Sequence, residues 1–389
     1  MSSSSEQTWR SVSDSDSVVQ DALQGTVLYQ KASASQASAD PSPPNAIAQY
    51  LLREVPEFRR LSELRQKGWE NPEGDRFFEK QRDKADNADK RTAQHFFRMM
   101  KNIGHDMHQI TDIFLIKGLN PDKQASILDM CMAPGGFLAT ALQINPHARA
   151  LGFSLPQSEG GHKVLLRKPH HNVSLKFLDI TMLAADMGRL EIPSGHPDAG
   201  KFLPRQFSPE QRFDLVICDG QVLRTHDRAT YRQPREARRL TMTQLALGLE
   251  HLTWGGTMIV LLHRVESPDV VRLLYAFTAF ASVRLYKHPR FHAMRSSFYM
   301  LATDIRNDSP EAAMAIRGWK KIWDVATFGT DDLYQQTLQE YSVDLDLVLN
   351  DFGPRLAILG KHVWGIQADA LAKSPFVRQS ALSNGGLNI

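Results

Sequence analysis

The stretch Ile127 to Leu142 reads ILDMCMAPGGFLATAL: a short apolar run closing on Asp129, then Ala-Pro-Gly-Gly, then a second apolar run. A carboxylate at the end of a buried run is costly to desolvate unless something uses it. Adjacent glycines open backbone conformations and close approaches that a Cβ forbids. Together these features predict a strand, a bare turn and a helix, and so a sheet covered by helices whose ligand lies at the carboxyl ends of its strands.

The rest of the chain repeats that alternation. ASILDMC, ARALGFSL, VSLKFLDI, FDLVICDG and GGTMIVLLH read as strands, with GGFLATALQIN and MTQLALGLEHL as helices between them. VRLLYAFTAFA adds a helix, and SVRLYKHP and SFYMLAT are strand-like. This pattern predicts an α/β fold with a mainly parallel, twisted sheet and helices on both faces.

The ends read differently. Residues 1–45 are rich in Ser, Gln, Asp and Ala and close on DPSPPN. Such a segment buries too little to offset its ordering entropy and is expected to be a disordered tail. Residues 46–105 are expected to form an N-terminal helical extension with a break or new start at Pro56, residues 106–305 the sheet domain, and residues 306–389 a C-terminal helical annex. In the annex Ser309 reads as a helix N-cap followed by Pro310, TDDLYQQTLQEY opens with another cap, and Pro354 reads as the start of a further helix.

Composition excludes rather than identifies. The 389 residues carry 46 basic and 43 acidic side chains, a formal charge of +3 and a pI near 8.7, too balanced to imply a polyanion partner by itself. Cys131 and Cys218 are too few for a disulfide framework or a zinc site, so a reducing compartment, cytosol or nucleus, is expected and no metal is. On neighbouring strands the two thiols read as small buried filling. No apolar run is long enough to span a bilayer, and no oligomeric state can be read.

Asp129 with Pro134, Gly135 and Gly136 before a helix suits the amino-acid end of an adenosyl cofactor, whose carboxylate helix N–H groups can receive. Asp179 in KFLDI and Asp219 in ICDG also end strand-like runs. Three such acids at this spacing outweigh the plain reading of a tight turn.

At this point the chain resembles the FtsJ-like methyltransferases, Rossmann-fold enzymes that use S-adenosyl-L-methionine to methylate RNA ribose 2'-hydroxyls. LDMCMAPGGF is similar to the family's cofactor loop, DLVICDG to its fourth-strand motif in the form seen in eukaryotic members, and LEHLTWGGTMIV to the helix and strand that follow. The resemblance covers roughly Arg91 to Thr303. It implies that Asp129, Ala133, Pro134, Gly135, Gly136 and Phe137 line the methionine moiety, Phe153 and Ser154 flank the ribose, Asp179 meets the adenine, and Asp219 sits nearest the methyl group.

The departures are specific. The second strand ends at Ser154 where the family commonly has an acid. Of the Lys-Asp-Lys-Glu tetrad of RNA-active members only Asp219 is unchanged: Arg98 falls at the first lysine with Lys101 a turn on, Leu261 at the second, and about Ser297 at the glutamate. A ribose hydroxyl is a poor nucleophile until its proton is removed, and leucine cannot remove it. His263 shares the strand face of Leu261 and is a candidate surrogate base, the alternative being a strand-end histidine with no role. Arg98, Asp219 and His263 are therefore the catalytic candidates.

Arg224, Arg228, Arg232, Arg235 and Arg239 recur at spacings of three and four after the fourth-strand acid. Arg224, Arg228 and Arg232 are the candidate substrate contacts, since arginine grips phosphate in forked geometry; the alternative is a solvated face. The expected function is S-adenosylmethionine-dependent methyl transfer, with RNA the first acceptor and a small molecule the second. The opposing reading is an inactive cofactor-binding scaffold.

Overall fold

The computed structural model describes residues 46–77, 79, 90–117, 123–166 and 172–377. The expected tail, most of the charged stretch after Glu79, and residues 378–389 lie outside these. Among the described residues, no helix is long and apolar enough to cross a membrane.

Seven strands form one sheet in the order β3-β2-β1-β4-β5-β7-β6. They are β1 (Ser126–Asp129), β2 (Arg149–Ser154), β3 (Val173–Phe177), β4 (Phe213–Cys218), β5 (Leu252–His263), β6 (Ser282–Tyr286) and β7 (Ser297–Ile305). The first five pair in parallel, and β7 runs antiparallel between β5 and β6. Successive strand residues point to opposite faces, and the apolar residues divide accordingly. Ile127, Leu215, Ile217, Ile259 and Leu301 enter one core, while Leu128, Val216, Cys218, Val260 and Met300 enter the other.

Helices cover both faces. The helices of the N-terminal part are α1 (Ala46–Glu54), α2 (Pro56–Trp69), α3 (Lys90–Thr111) and α4 (Gly136–Ile144). Those that follow are α5 (Glu236–Glu250), α6 (Pro268–Phe280), α7 (Pro310–Phe328), α8 (Asp331–Glu340) and α9 (Leu345–Ala372). The apolar stripe of α3, with Phe96, Met99, Met100 and Ile103 all buried, packs with α4 on the first core. On the second lie α5, α6, α7 and α9. Pro56 sits in the first turn of α2. Ser309 and Thr330 cap α7 and α8 through their side chains.

Pro354 does not begin a helix. Asp344 caps α9 ten residues earlier, its carboxylate accepting from the N–H groups of Asp346 at 2.8 Å and Leu347 at 3.2 Å, and the helix runs through the proline. Helices α1 and α2 meet α9 in one helical layer. Phe58 packs edge-on to Trp364 with centroids 5.2 Å apart, and Arg65 donates to Gln367 at 2.9 Å. Helix α3 runs unbroken across residues 105 and 106, where the sheet domain was expected to begin.

Candidate active site

A cavity opens at the carboxyl edge of the sheet and runs along the strand order from Asp179, after β3, past Ser154, Cys131 and Asp219 to Leu261, Tyr299 and Lys287. Its empty space, mouth included, is about 1230 Å³.

Of the candidate cofactor residues, Ala133, Ser154, Asp179 and Asp219 line it, with Met130 and Cys131 completing the wall at the β1 turn. Asp129, Pro134, Gly135, Gly136, Phe137 and Phe153 are not part of that wall. Phe153 is fully buried, its ring 5.3 Å from Phe207, because strand alternation turns it into the core while Ser154 faces the crevice. Phe137 is likewise core, stacked on Phe114 and edge-on to Tyr299.

The glycines also meet constraints from the protein itself. Gly135 has φ 103°, which L side chains rarely adopt. A Cβ on Gly136 would lie 2.5 Å from Met100 Cβ, 2.7 Å from the Phe97 carbonyl oxygen and 2.9 Å from Lys101 N, so this glycine lets α3 cross the start of α4. Gly136→Ala should therefore cost about 2–3 kcal/mol, the upper part of the range for overpacking. Urea unfolding measures it, and an unchanged midpoint would contradict the close crossing. Gly220 has a similar reason: a Cβ there would sit 2.5 Å from Cys131 Sγ.

The acids are unusual. Burial pushes the Asp129 carboxyl up to about 7, against a weak hydrogen bond from Cys131 N–H at 3.4 Å. Burial, and then the neighbouring Asp129, hold Asp219 well above the usual carboxylate range. Tyr299 on β7 is hydrogen-bonded to Asp219, and Asp219 Oδ1 has no partner among the described residues. Two buried acids short of a counter-charge suit a cationic ligand.

Asp179 differs. Burial raises it, but Arg232 at 2.5 Å outweighs burial and holds it below its ordinary value. Its other oxygen accepts from Thr181 N at 2.9 Å and Thr181 Oγ1 at 2.8 Å. Ligand atoms of Asp179, His226 and Glu236 lie within 4.8 Å of one another, a spacing that could hold a metal ion. The Arg232 guanidinium already bridges Asp179 and Glu236, at 2.5 Å from each, and supplies the cation itself.

This corrects the arginine stripe. Arg232, Arg235 and Arg239 are buried, facing Asp179, Glu236, Thr327 and the last turn of α7 rather than solvent. Arg228 donates to the Leu223 carbonyl at 2.8 Å, and Arg224 is exposed. The spacing of three and four is real, but Asp179 and Glu236 pair with that face and hold it inward.

Of the catalytic candidates, Arg98 lies on the exposed side of α3, whose Met100 and Ile103 line the cavity instead. His263 does line it, with Nε2 3.0 Å from Gln221 Oε1. Burial, then Lys287 and Arg295, press its imidazole down to about 4, which makes it a weak proton acceptor. Leu261 lies opposite Tyr299 and His263 opposite Ser297 in the β5–β7 register. Sequence reasoning missed Tyr299, whose signal was its place two residues beyond Ser297 on the same strand face. It also missed Lys287 and His292, which sit outside any strand period.

The sheet order, the strand-end acids and the helices on both faces define a Rossmann-like methyltransferase fold. Residues 104–305 match the model of the FtsJ-like methyltransferases, and the chain belongs to that family, whose members depend on S-adenosylmethionine. Among solved structures, an O-methyltransferase family protein from Burkholderia thailandensis aligns at 13% identity over 71% of this chain and 82% of that one, with a TM-score of 0.32. An rRNA methylase from Streptococcus thermophilus aligns at 12% identity over 51% of this chain and 96% of that one, also at 0.32. Neither is close enough to bear on the chemistry. No curated protein matches.

Proposed function

We propose that the chain is an S-adenosylmethionine-dependent methyltransferase that acts on an oxygen acceptor brought beside Asp219. The observation that carries this is the set of acids at the strand ends: Asp179 and Asp219 in the cavity wall, and Asp129 buried beneath the β1 turn between them. When bound, the cofactor supplies a methyl group already activated by a sulfonium. Ser154 and Asp179 would hold its nucleoside end, and the field of Asp129 and Asp219 favours its positive charge. Catalysis is then alignment of the acceptor with the methyl group.

An RNA acceptor is the second reading, favoured by α3. Arg91, Arg98 and His105 are exposed along it and Lys101 is half-buried. That basic face lies on the helix whose opposite side lines the cavity, where a phosphate backbone could run. Methyl-label transfer to total RNA and to small-molecule extracts separates the two. Label in either supports the enzyme, and tight cofactor binding with transfer to neither supports the scaffold.

A further inference from the structure

The cavity is electrically divided along the sheet. At the ends of β3, β1 and β4 stand Asp179, Asp129 and Asp219, whereas β5, β6, β7 and the loop joining β6 to β7 contribute no carboxylate to the lining. On that side lie Lys287, which is 2% exposed, and Arg295, which is 7% exposed. Two acids packed around it are engaged elsewhere, Asp106 with His288 at 2.9 Å, and Glu266 with Arg65 at 2.7 Å and the Trp364 indole at 3.1 Å, while Asp219 is hydrogen-bonded to Tyr299.

The same side is built to be rigid. The Lys287 ammonium donates to the carbonyls of His292 at 3.0 Å, Arg295 at 2.7 Å and Ser297 at 2.7 Å, so its three protons are committed and the group is held in place. Gln367 of α9 donates to the Met294 carbonyl at 3.1 Å and ties the loop to the helical layer. Within that loop His292 has a left-handed backbone, φ 54°, and its Nδ1 is buried with no partner among the described residues. Unsatisfied groups and unusual backbone together mark ligand sites more often than plain core.

We infer that this compartment, between Leu261 and the Lys287–Ser297 loop, takes an acceptor that is already an oxyanion, the carboxylate or phenolate of a small organic molecule. The inference rests on the methyltransferase reading and names its acceptor class. It also accounts for the missing lysine. In such a transfer the acceptor's lone pair forms the O–C bond while the C–S bond breaks and its electron pair stays on sulfur. The two opposite charges cancel, no proton moves, and no base is needed at Leu261.

The surrounding groups fit. Burial, then Arg295, Lys287, His263 and His288, press His292 down to about 3, so its ring is neutral until an anion arrives to favour its protonated form. Burial, then Arg65 and Arg295, press Lys287 down to about 7, and an anion bound beside it would favour its charged form. Phe291, Phe298 and Leu261 supply apolar wall for the body of the acceptor.

The test titrates the cofactor-free chain with benzoate and with its neutral isostere benzamide, and with 4-nitrophenol, whose absorbance reports whether it is held as phenolate. Benzoate should bind roughly ten-fold tighter than benzamide or more, a difference of about 1.4 kcal/mol. Alternatively, 4-nitrophenol should be held as phenolate at a pH where the free compound is protonated. Whichever probe shows this identifies the acid. Lys287→Met should abolish the preference, and His292→Gln, which leaves the ammonium clamp intact, should weaken binding of the preferred anion roughly five-fold or more, about 1 kcal/mol. The inference is overturned if neither probe is preferred as its anion, if nothing binds, or if a folded His292→Gln chain binds the anion unchanged. The cofactor is absent from this test, so its failure is distinct from a failure to bind S-adenosylmethionine.

Discussion

Replacing Arg232 by Met should destabilise the fold by about 3–5 kcal/mol, the range for removing one partner of a buried ion pair. The guanidinium is 2% exposed and serves Asp179, Thr181 and Glu236 at once. Without it Asp179 has no full counter-charge, and Glu236 keeps only Arg239 at 2.6 Å. The loss should spread to the helical layer, because Arg239 joins the same cluster to Thr327 near the α7 end. The pH dependence has a definite sign. Asp179 and Glu236 are both held below their ordinary values, since the arginines outweigh burial. Their contribution is therefore present above an unfolded-state pKa of about 4 and is lost as pH falls below it. The gap between wild type and variant in denaturant unfolding should be widest near pH 7 and narrow towards pH 3. A gap of under 1 kcal/mol at pH 7 would show that the cluster is not holding the layer.

Asp129→Asn should do the opposite and stabilise the ligand-free chain at pH 8 by about 2–4 kcal/mol, taking roughly 1.4 kcal/mol per unit and discounting for relaxation. The carboxyl is 2% exposed, and burial raises it from 3.8 to about 7. A group raised in the folded state favours folding below its unfolded pKa, and that advantage is lost as pH rises to the folded value. Wild type should therefore lose stability between about pH 4 and pH 7 from this residue, and the Asn variant should not. A fold that keeps such a residue at the expense of stability is consistent with a functional site.

Much of this was legible in the sequence because strand and helix periods are local. The acids Asp129, Asp179 and Asp219 announce strand ends, and Ser309 and Thr330 announce helix starts. What the sequence could not reveal depended on contacts between distant segments. The reason for Gly136 lies in α3, some thirty-five residues earlier, and only the crossing shows it. The arginine stripe had helical spacing whichever way it faced, and what turned it inward was Asp179, fifty-three residues away along the chain. Lys287 and His292 carry no period at all, since a loop clamped by backbone carbonyls leaves no pattern in its side chains. Pro354 misled for the converse reason: a strong local signal was overridden by the Asp344 cap and by burial of Phe352 and Leu356 on either side.

The proposed methyl transfer requires a sulfonium cofactor beside Asp129 and Asp219. Calorimetric titration with S-adenosylmethionine at pH 7, repeated in buffers of different ionisation enthalpy, tests it most directly. A positive ligand near Asp129 and Asp219 should lower both and release protons on binding. The expected result is one-to-one binding with net proton release, smaller for S-adenosylhomocysteine, which lacks the sulfonium charge, and smaller again in Asp129→Asn. Absence of binding, or binding with the same proton balance for both ligands and both chains, would contradict it.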